Sequence, residues 1–299
     1  LMDNNILPSP HLDRIIADLV ELGYGRDSTT ENNRQRLVDF NQGLDASFIN
    51  ENTMDLLSNI NIKPMRIAFD RLSEKSTYIA ALETAERFGV KEFSNYMLYN
   101  FKDTPRDLYE RLLINIELNE KWRVSGSPSR VYSYPMRFAP ISPIKNKDDN
   151  KSRDFFENRN IVKHFIQDAV WTPKFTRNVE IMKGAANGAI SPTKGLALRT
   201  IGQTYEEFIA NLYLPEELLR MRNTYEKRVH SHEPERSPGN GRIEDFRDFI
   251  NNNAQESSDE FIAFHKCISA NRRAVTRRYY SECQDNEIKK WLPYYFPKE

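Results

Sequence analysis

In the first half of the chain, five apolar runs end in, or are followed by, polar side chains that could bind a small ligand. Carboxylate, amide and guanidinium groups can bind an amino acid group, ribose hydroxyls and the edge of a base through hydrogen bonds. Asparagine and aspartate are also common in ordinary turns between strands and helices, so no single position is decisive. Five such runs in succession nevertheless favour one ligand site. The side chains concerned are those of Asp3, Asn4, Asn5, Gln42, Asp45, Asp70, Asn95, Tyr99, Asn100, Tyr134, Met136 and Arg137.

Three other groups of side chains could carry chemistry, and each has a simpler structural explanation. His230 and His232 could bind a metal ion, but the turn-rich stretch around them favours solvated histidines. The pair in His265–Cys267 is more typical of helix packing than of a nucleophile and its base. The arginines of Arg272–Arg278 form a basic helix face, which favours a solvated or partner-docking surface over a phosphate-binding one.

The spacing of apolar residues predicts strands that alternate with helices over residues 1–140. The predicted strands cover residues 1–5, 36–41, 65–70, 92–99 and 131–138. Ser9 and Thr104 can cap two of the intervening helices, and a proline follows each of them in the first turn. About thirty residues separate successive strands, as right-handed βαβ crossovers require. The predicted fold class is therefore α/β with a parallel sheet, either doubly wound or closed towards a barrel, and its ligand site should lie where the strands end.

The second half of the chain follows a different pattern. Residues 145–154 are polar, residues 161–222 have helical periodicity, and residues 231–241 are rich in turn formers. Amphipathic helices are predicted over residues 242–250 and 259–280, and the aromatic end of the chain should pack against them. We therefore divide the chain into a β/α region (1–140), a helical extension (141–230), a linker (231–241) and a helical C-terminal tail (242–299).

Several of these segments resemble the strand ends of radical S-adenosylmethionine (radical SAM) enzymes, which are β/α barrels. The segments that carry the resemblance are Asp3–Asn5 with Ser9–Pro10, Phe40–Asp45, Arg66–Asp70, Phe93–Pro105 and Tyr132–Pro140. Trp171–Arg222 is similar to the helical extension of an uncharacterised subgroup. The resemblance covers residues 1–222 and rests on the order and spacing of the segments. It implies a partial β/α barrel of parallel strands over residues 1–140, followed by an α-helical C-terminal region.

The resemblance implies a role for these residues in binding S-adenosylmethionine. Asp3 and Asn4, with Asn5 beside them, would contact its amino group, and Asp70 its ribose or carboxylate side. The remaining positions would be Asn95, Tyr99 and Asn100 near adenine, Gln42 and Asp45 in the same opening, and Tyr134, Met136 and Arg137 in its wall.

The reaction of that family depends on a 4Fe–4S cluster. The reduced cluster cleaves S-adenosylmethionine to methionine and a 5′-deoxyadenosyl radical, which abstracts hydrogen from a substrate. A C-x3-C-x2-C triplet holds the cluster, and Cys267 and Cys283 cannot form it because they are sixteen residues apart. The chain opens at Leu1 in what is predicted to be the second barrel strand. We therefore expect the triplet upstream and this fragment to be inactive alone. The substrate is unidentified, and a reductant protein for the cluster is implied.

The composition argues against several other classes of protein. Lys+Arg and Asp+Glu are balanced at 43 each, so no net charge attracts nucleic acid. No apolar run is long enough to cross a bilayer, and two isolated cysteines indicate a reducing compartment, which predicts a cytoplasmic protein without a membrane partner. Two alternatives remain open: a non-catalytic barrel scaffold, and an RNA- or other nucleic-acid-binding or -modifying protein that uses the Arg272–Arg278 face.

Overall fold

A sheet of three parallel strands forms in the N-terminal part of the chain. The computed structural model describes residues 5–138, 164–229, 241–254 and 258–296 of the whole chain. The strands are β1 (Met65–Ala68), β2 (Glu92–Tyr99) and β3 (Arg130–Arg137), in the order β1-β2-β3. β1 and β2 pair in parallel. The N–H groups of Arg130 and Phe138 donate to the carbonyls of Lys91 and Tyr99, with the same offset at both ends of β3. That constant offset makes β3 parallel to β2 as well.

The predicted strand over residues 36–41 lies beside β1 but is not a regular strand. One parallel bridge, between Val38 and Ile62, lies within it, and a second, between Leu44 and Ile67, lies just after it. Between them the chain turns at Gly43, whose φ of 90° suits glycine and whose N–H donates to the Phe40 carbonyl. This turn interrupts the ladder, so residues 38–44 form an irregular extended segment next to β1. The strand predicted over residues 1–5 falls almost entirely outside the described residues.

Helices follow the extended segments, as predicted. They are α1 (Leu12–Leu19), α2 (Glu51–Leu57), α3 (Lys75–Arg87) and α4 (Pro105–Val124). The predicted Ser9 cap is wrong, because α1 begins only at Leu12 and has no side-chain cap; Ser9 Oγ accepts from the His11 N–H at 3.2 Å instead. α4 begins at Pro105, as its sequence predicts, because Thr104 and Asp107 cap its first turn reciprocally. The Asp107 carboxylate accepts from the Thr104 N–H at 2.6 Å, and the Thr104 hydroxyl oxygen accepts from the Asp107 N–H at 3.3 Å.

One face of the sheet is buried against α3 and α4. Phe69, which follows β1, stacks on Tyr78 of α3 at 4.3 Å between ring centroids, and Phe93 of β2 stacks on Trp122 of α4 at 5.5 Å. Burying each aromatic side chain contributes about 2 kcal/mol, so these contacts are a main reason why the helices lie on this face.

A buried polar network, here called the Asn115 network, lies within this apolar interface. The Tyr78 hydroxyl donates to Asn115 Oδ1 at 2.9 Å. Asn115 Nδ2 donates to Asn95 Oδ1 at 3.1 Å and to Ser133 Oγ at 2.8 Å. The network therefore joins α3, α4, β2 and β3 and fixes which side chains of the sheet face the helices.

Arg111 of α4 holds the carboxyl ends of β1 and β2 together. Its side chain is fully buried, and Nη1 donates to the carbonyls of Phe69 at 2.9 Å and Leu98 at 3.0 Å. A charged donor shared between two carbonyls makes strong hydrogen bonds, so the positions at which the two strands end are fixed relative to each other.

Helices make up the described residues after β3. They are α5 (Pro173–Lys183), α6 (Lys194–Ile201), α7 (Tyr205–Tyr213), α8 (Glu216–Glu226), α9 (Gly241–Asn253), α10 (Asp259–Ser269), α11 (Arg273–Glu282) and α12 (Asn286–Trp291). The prediction of one continuous helix over residues 259–280 is wrong, because two helices, α10 and α11, form there. They are separated at Asn271, whose φ of 50° is left-handed and cannot continue a right-handed helix. At the end of the chain Trp291 is buried and packs edge-on against Phe246 at 5.0 Å.

The chain divides into two compact units. Unit 1 contains the residues up to Leu98 together with Arg111–Met136, and unit 2 contains Tyr99–Glu110 together with the residues from Arg137 onwards. The predicted α/β fold class is confirmed as a mixed α/β fold with a parallel sheet. Within the described ranges, every helix is too short or too polar to cross a membrane.

Candidate functional site

The second face of the sheet in unit 1, here called the polar face, carries the side chains that alternate with those buried under the helices. Arg66 of β1, Ser94 and Tyr96 of β2, and Tyr134 of β3 lie on it. Tyr96 and Tyr134 are half-buried, and their rings meet edge to face at 6.0 Å. Polar and aromatic groups on neighbouring strands are thus brought together on one surface.

Arg66 is the centre of this face. Its Nε and Nη2 donate to the two carboxylate oxygens of Asp39 at 2.7 and 2.8 Å. Its Nη1 donates to Ser94 Oγ at 3.1 Å and to the Tyr96 hydroxyl at 2.7 Å. One guanidinium therefore connects the irregular segment 38–44, β1 and β2, and the bidentate pair with Asp39 fixes its plane.

The Arg66–Asp39 pair remains ionised over a wide range of pH. The hydrogen bonds from Arg66 lower the pKa of Asp39, and the hydrogen bond to Asp39 raises the pKa of Arg66. The side chains are 17% and 38% exposed, so water still reaches the carboxylate. This site is a fixed pair of charges rather than a proton donor and acceptor.

The arrangement leaves Tyr96 as a hydrogen-bond donor. Its hydroxyl oxygen accepts from Arg66, so the hydroxyl proton can be directed to an acceptor on a ligand. A nearby guanidinium strengthens such a donor electrostatically. The polar face can therefore bind the carboxylate or hydroxyl oxygen of a small molecule.

Asp70 lies at the carboxyl edge of the sheet, as predicted. It is exposed, and its Oδ1 accepts from the Leu98 N–H at 2.7 Å, which places it beside the end of β2. This contact uses one carboxylate oxygen and leaves Oδ2 for a donor on a ligand.

Two predicted residues, Asn5 and Asp45, meet beside the turn at Gly43, and a third, Gln42, precedes that turn. Asn5 Oδ1 lies 3.5 Å from the backbone nitrogen of Asp45, so the structure brings these two residues together. Asp45 Oδ1 accepts from the N–H of Ser47 at 2.9 Å and caps a short helical turn. Gln42 is exposed beside them. Asp45 thus has a local structural role, while Gln42 extends from the same turn into solvent.

Asn95 and Tyr99 are placed away from the polar face. Asn95 is fully buried in the Asn115 network, and its Nδ2 also donates to the Ile67 carbonyl at 2.9 Å. Tyr99 is buried in unit 2, where its hydroxyl donates to Glu180 Oε1 at 2.7 Å. Asn95 points to the side of the sheet covered by α3 and α4, because it alternates along β2 with Ser94 and Tyr96 of the polar face.

The remaining predicted site residues are Asn100, Met136, Arg137, Asp3 and Asn4. Asn100 follows β2 in the left-handed conformation, with φ at 63°, and Met136 and Arg137 of β3 are exposed. Asp3 and Asn4 lie outside the described residues, so the structure does not place them.

Sequence reasoning did not identify Asp39, Arg66 or Tyr96 as site residues. A usable signal was present, because Arg66 alternates with the buried residues Met65 and Ile67 within a strand. A charged residue at that position must face away from the helices, towards the polar face.

The two cysteines and the described histidines show no metal-binding arrangement. Both Cys267 and Cys283 are buried and free, and burial raises the pKa of Cys267. Among the described residues, no three His, Cys, Asp or Glu side chains lie close enough together to bind a metal ion. His230 and His232 fall outside those residues. The Arg272–Arg278 face is exposed, and one of its members, Arg278, pairs with Glu282 at 3.1 Å.

His265 is half-buried among aromatic side chains of unit 2, and its pKa predicts how stability varies with pH. Its Nδ1 lies 2.6 Å from the Tyr213 hydroxyl, and burial lowers the pKa of His265 to about 4. Because the unfolded state binds a proton near pH 6.5, stability that is present above that pH is lost as the pH falls towards the folded-state value. We expect His265 to reduce the free energy of unfolding by about 2 kcal/mol between pH 8 and pH 5. Denaturant unfolding of the wild type and of His265→Gln measures this, and an equal loss in both would contradict it.

Comparisons with family models, curated proteins and solved structures find no match for this chain.

Proposed function

We propose that this chain forms part of a radical-SAM-type β/α barrel and binds S-adenosylmethionine where its parallel strands end. The observation that carries this proposal is the sequential spatial order of segment 38–44, β1, β2 and β3. A β/α barrel adds neighbouring strands in sequence order, with helices outside and side chains filling the inside. A doubly wound sheet would instead reverse its strand order at the site.

The two faces of the sheet support the same proposal. α3 and α4 cover one face, as the outer helices of a barrel do, and the other face carries Arg66, Ser94 and Tyr96. In this proposal the polar face lines the inside of the barrel, and Asp70 lies at its mouth. The Asp70 carboxylate accepts from a ribose hydroxyl, and the Tyr96 hydroxyl donates to a carboxylate or substrate oxygen.

The residues of this chain cannot bind the 4Fe–4S cluster of radical SAM enzymes. Three thiolates are needed, and the chain has two cysteines, both in or beside the C-terminal helices α10 and α11. The reduced cluster supplies the electron that cleaves the sulfonium in that family. We therefore confine the proposal for this chain to binding the adenosyl ligand, orienting it and excluding water from it.

The proposal predicts that the full chain binds S-adenosylhomocysteine, which has the adenosyl group and lacks the sulfonium charge. Titration calorimetry of the wild type should give a saturable isotherm. In Asp70→Asn, Oδ1 still accepts from the Leu98 N–H, while the second oxygen becomes an N–H₂ group. We expect binding to weaken about tenfold, the effect of losing one hydrogen bond to a charged acceptor.

The matched control is Asp18→Asn, which makes the same change at an exposed position of α1. Its affinity should equal that of the wild type. Equal weakening in both variants, or no saturable binding by the wild type, would contradict the proposal and favour the scaffold alternative.

A further inference from the structure

A small cavity in unit 2 lies beside the start of α5, α8 and α11. Its volume is about 150 Å³, and Tyr294 and Tyr295 form part of its wall. A cavity of about this size is large enough to hold benzene, which has as many non-hydrogen atoms as a small oxo acid. Size therefore limits the occupant to a small molecule.

The cavity contains a buried amine. Lys174 is 1% exposed, and its Nζ lies 5.2 Å from the centre of the Tyr295 ring. Within the described parts of the chain it has no hydrogen-bond acceptor and no ion pair. The nearby carboxylate of Glu216 is instead held by Arg177 at 3.2 Å. A buried lysine that makes no ion pair is costly, and it indicates a function for the amine.

The surroundings of Lys174 favour the neutral amine. Lys174 is the second residue of α5, where the positive end of the helix disfavours another positive charge. Burial is the main cause that lowers the pKa of Lys174 to about 7; Glu216 opposes this effect, and Arg177 adds to it. A neutral amine in a cavity is a nucleophile towards carbonyl carbon.

The start of α11, which also lines the cavity, can bind a carboxylate. α11 begins at Arg273, and the residue before it, Arg272, gives the helix no side-chain cap. The first N–H groups of a helix without such a cap point towards an anion. The side chains of Arg272 and Arg273 bring positive charge to the start of α11, while Glu216 and Glu217 of α8 also line the cavity.

We propose that this cavity binds a small α-oxo carboxylic acid, which Lys174 holds as an imine. The carboxylate lies at the start of α11 and the carbonyl carbon faces Lys174 Nζ. The amine adds to the carbonyl to form a C–N bond, and loss of one water molecule gives the C=N bond. No oxidant or reductant is needed, and the imine can be hydrolysed by the reverse reaction.

Borohydride trapping tests this site on the full chain. The wild type is incubated at neutral pH with glyoxylate and sodium cyanoborohydride, which reduces an imine to a stable amine, and the labelled lysines are identified by peptide mass spectrometry. The internal control is Lys183 on the same helix, which is paired with Glu180 at 2.8 Å. We expect Lys174 to be labelled at least about tenfold faster, because an ordinary lysine is almost entirely protonated at this pH.

Two further measurements separate a specific site from general reactivity. Arg272→Ala should slow labelling of Lys174 by glyoxylate but not by the neutral aldehyde glycolaldehyde, while Lys183 is unaffected. Labelling of Lys174 no faster than that of Lys183 would overturn the proposal, and so would an equal effect of Arg272→Ala on both reagents. The wild-type comparison is made within one folded chain, so it does not depend on the stability of any variant.

Discussion

Glu226→Ala is expected to lower the free energy of unfolding of unit 2 by about 3–5 kcal/mol. Glu226 of α8 and Arg199 of α6 form an ion pair at 2.8 Å between Oε2 and Nε, and their side chains are 2% and 0% exposed. Arg199 Nη2 also donates to the Val229 carbonyl at 3.0 Å. Removing the carboxylate takes one negative charge away from a guanidinium that is fully buried. Denaturant unfolding followed by circular dichroism measures the effect.

Two variants define what that result means. Glu282→Ala removes an exposed ion pair with Arg278 and should cost at most about 1 kcal/mol. The double variant Arg199→Met, Glu226→Leu removes both charges and should recover most of the loss, because well-packed apolar residues replace buried ion pairs at little cost. If Glu226→Ala costs no more than Glu282→Ala, the pair is not buried as described.

Asn115→Ala is expected to destabilise unit 1 by about 3 kcal/mol, because three buried polar groups lose their partner. These are the Tyr78 hydroxyl, Asn95 Oδ1 and Ser133 Oγ. Tyr78→Phe removes one hydrogen bond of the same network and should cost only about 1 kcal/mol. The measurement is denaturant unfolding monitored by tryptophan fluorescence, since Trp122 lies on the same helix.

The control for Asn115→Ala is Glu117→Ala, two residues further along α4 and exposed. It should change the free energy of unfolding by no more than about 0.5 kcal/mol. Equal costs for Asn115→Ala and Tyr78→Phe would show that Asn115 is not the centre of the network.

Local signals in the sequence predicted the elements of unit 1 well. The alternation of apolar residues gave β2 its observed bounds, Glu92–Tyr99, and the Thr104 cap gave the first residue of α4. Prediction over residues 36–41 was less accurate, because apolar residues alone did not reveal the turn at Gly43. The break at Asn271 was missed for a similar reason, since asparagine is compatible with both a helix and a turn.

The site could be predicted only in part, because side-chain pairing between distant segments has no local signal. Asp39 and Arg66 are 27 residues apart and meet through the packing of segment 38–44 beside β1. Asn95 has the amide that a ligand site would use, but the pleat directs it into the Asn115 network. Lys174 was missed because a charged side chain is normally expected at the protein surface. A signal was present in its spacing, since Lys174, Asn178 and Ile181 recur on one helix face and all three are buried.

The central claim is that the carboxyl ends of the parallel strands in unit 1 hold an adenosyl ligand. Hydrogen exchange of the full chain, with and without saturating S-adenosylhomocysteine, tests it most directly. We predict slower exchange of the amides in the turn at Gln42–Asp45 and in the residues after Asp70 at the end of β1, with β3 and the C-terminal helices unchanged. Protection confined to the C-terminal helices, or none anywhere in the chain, would contradict the account.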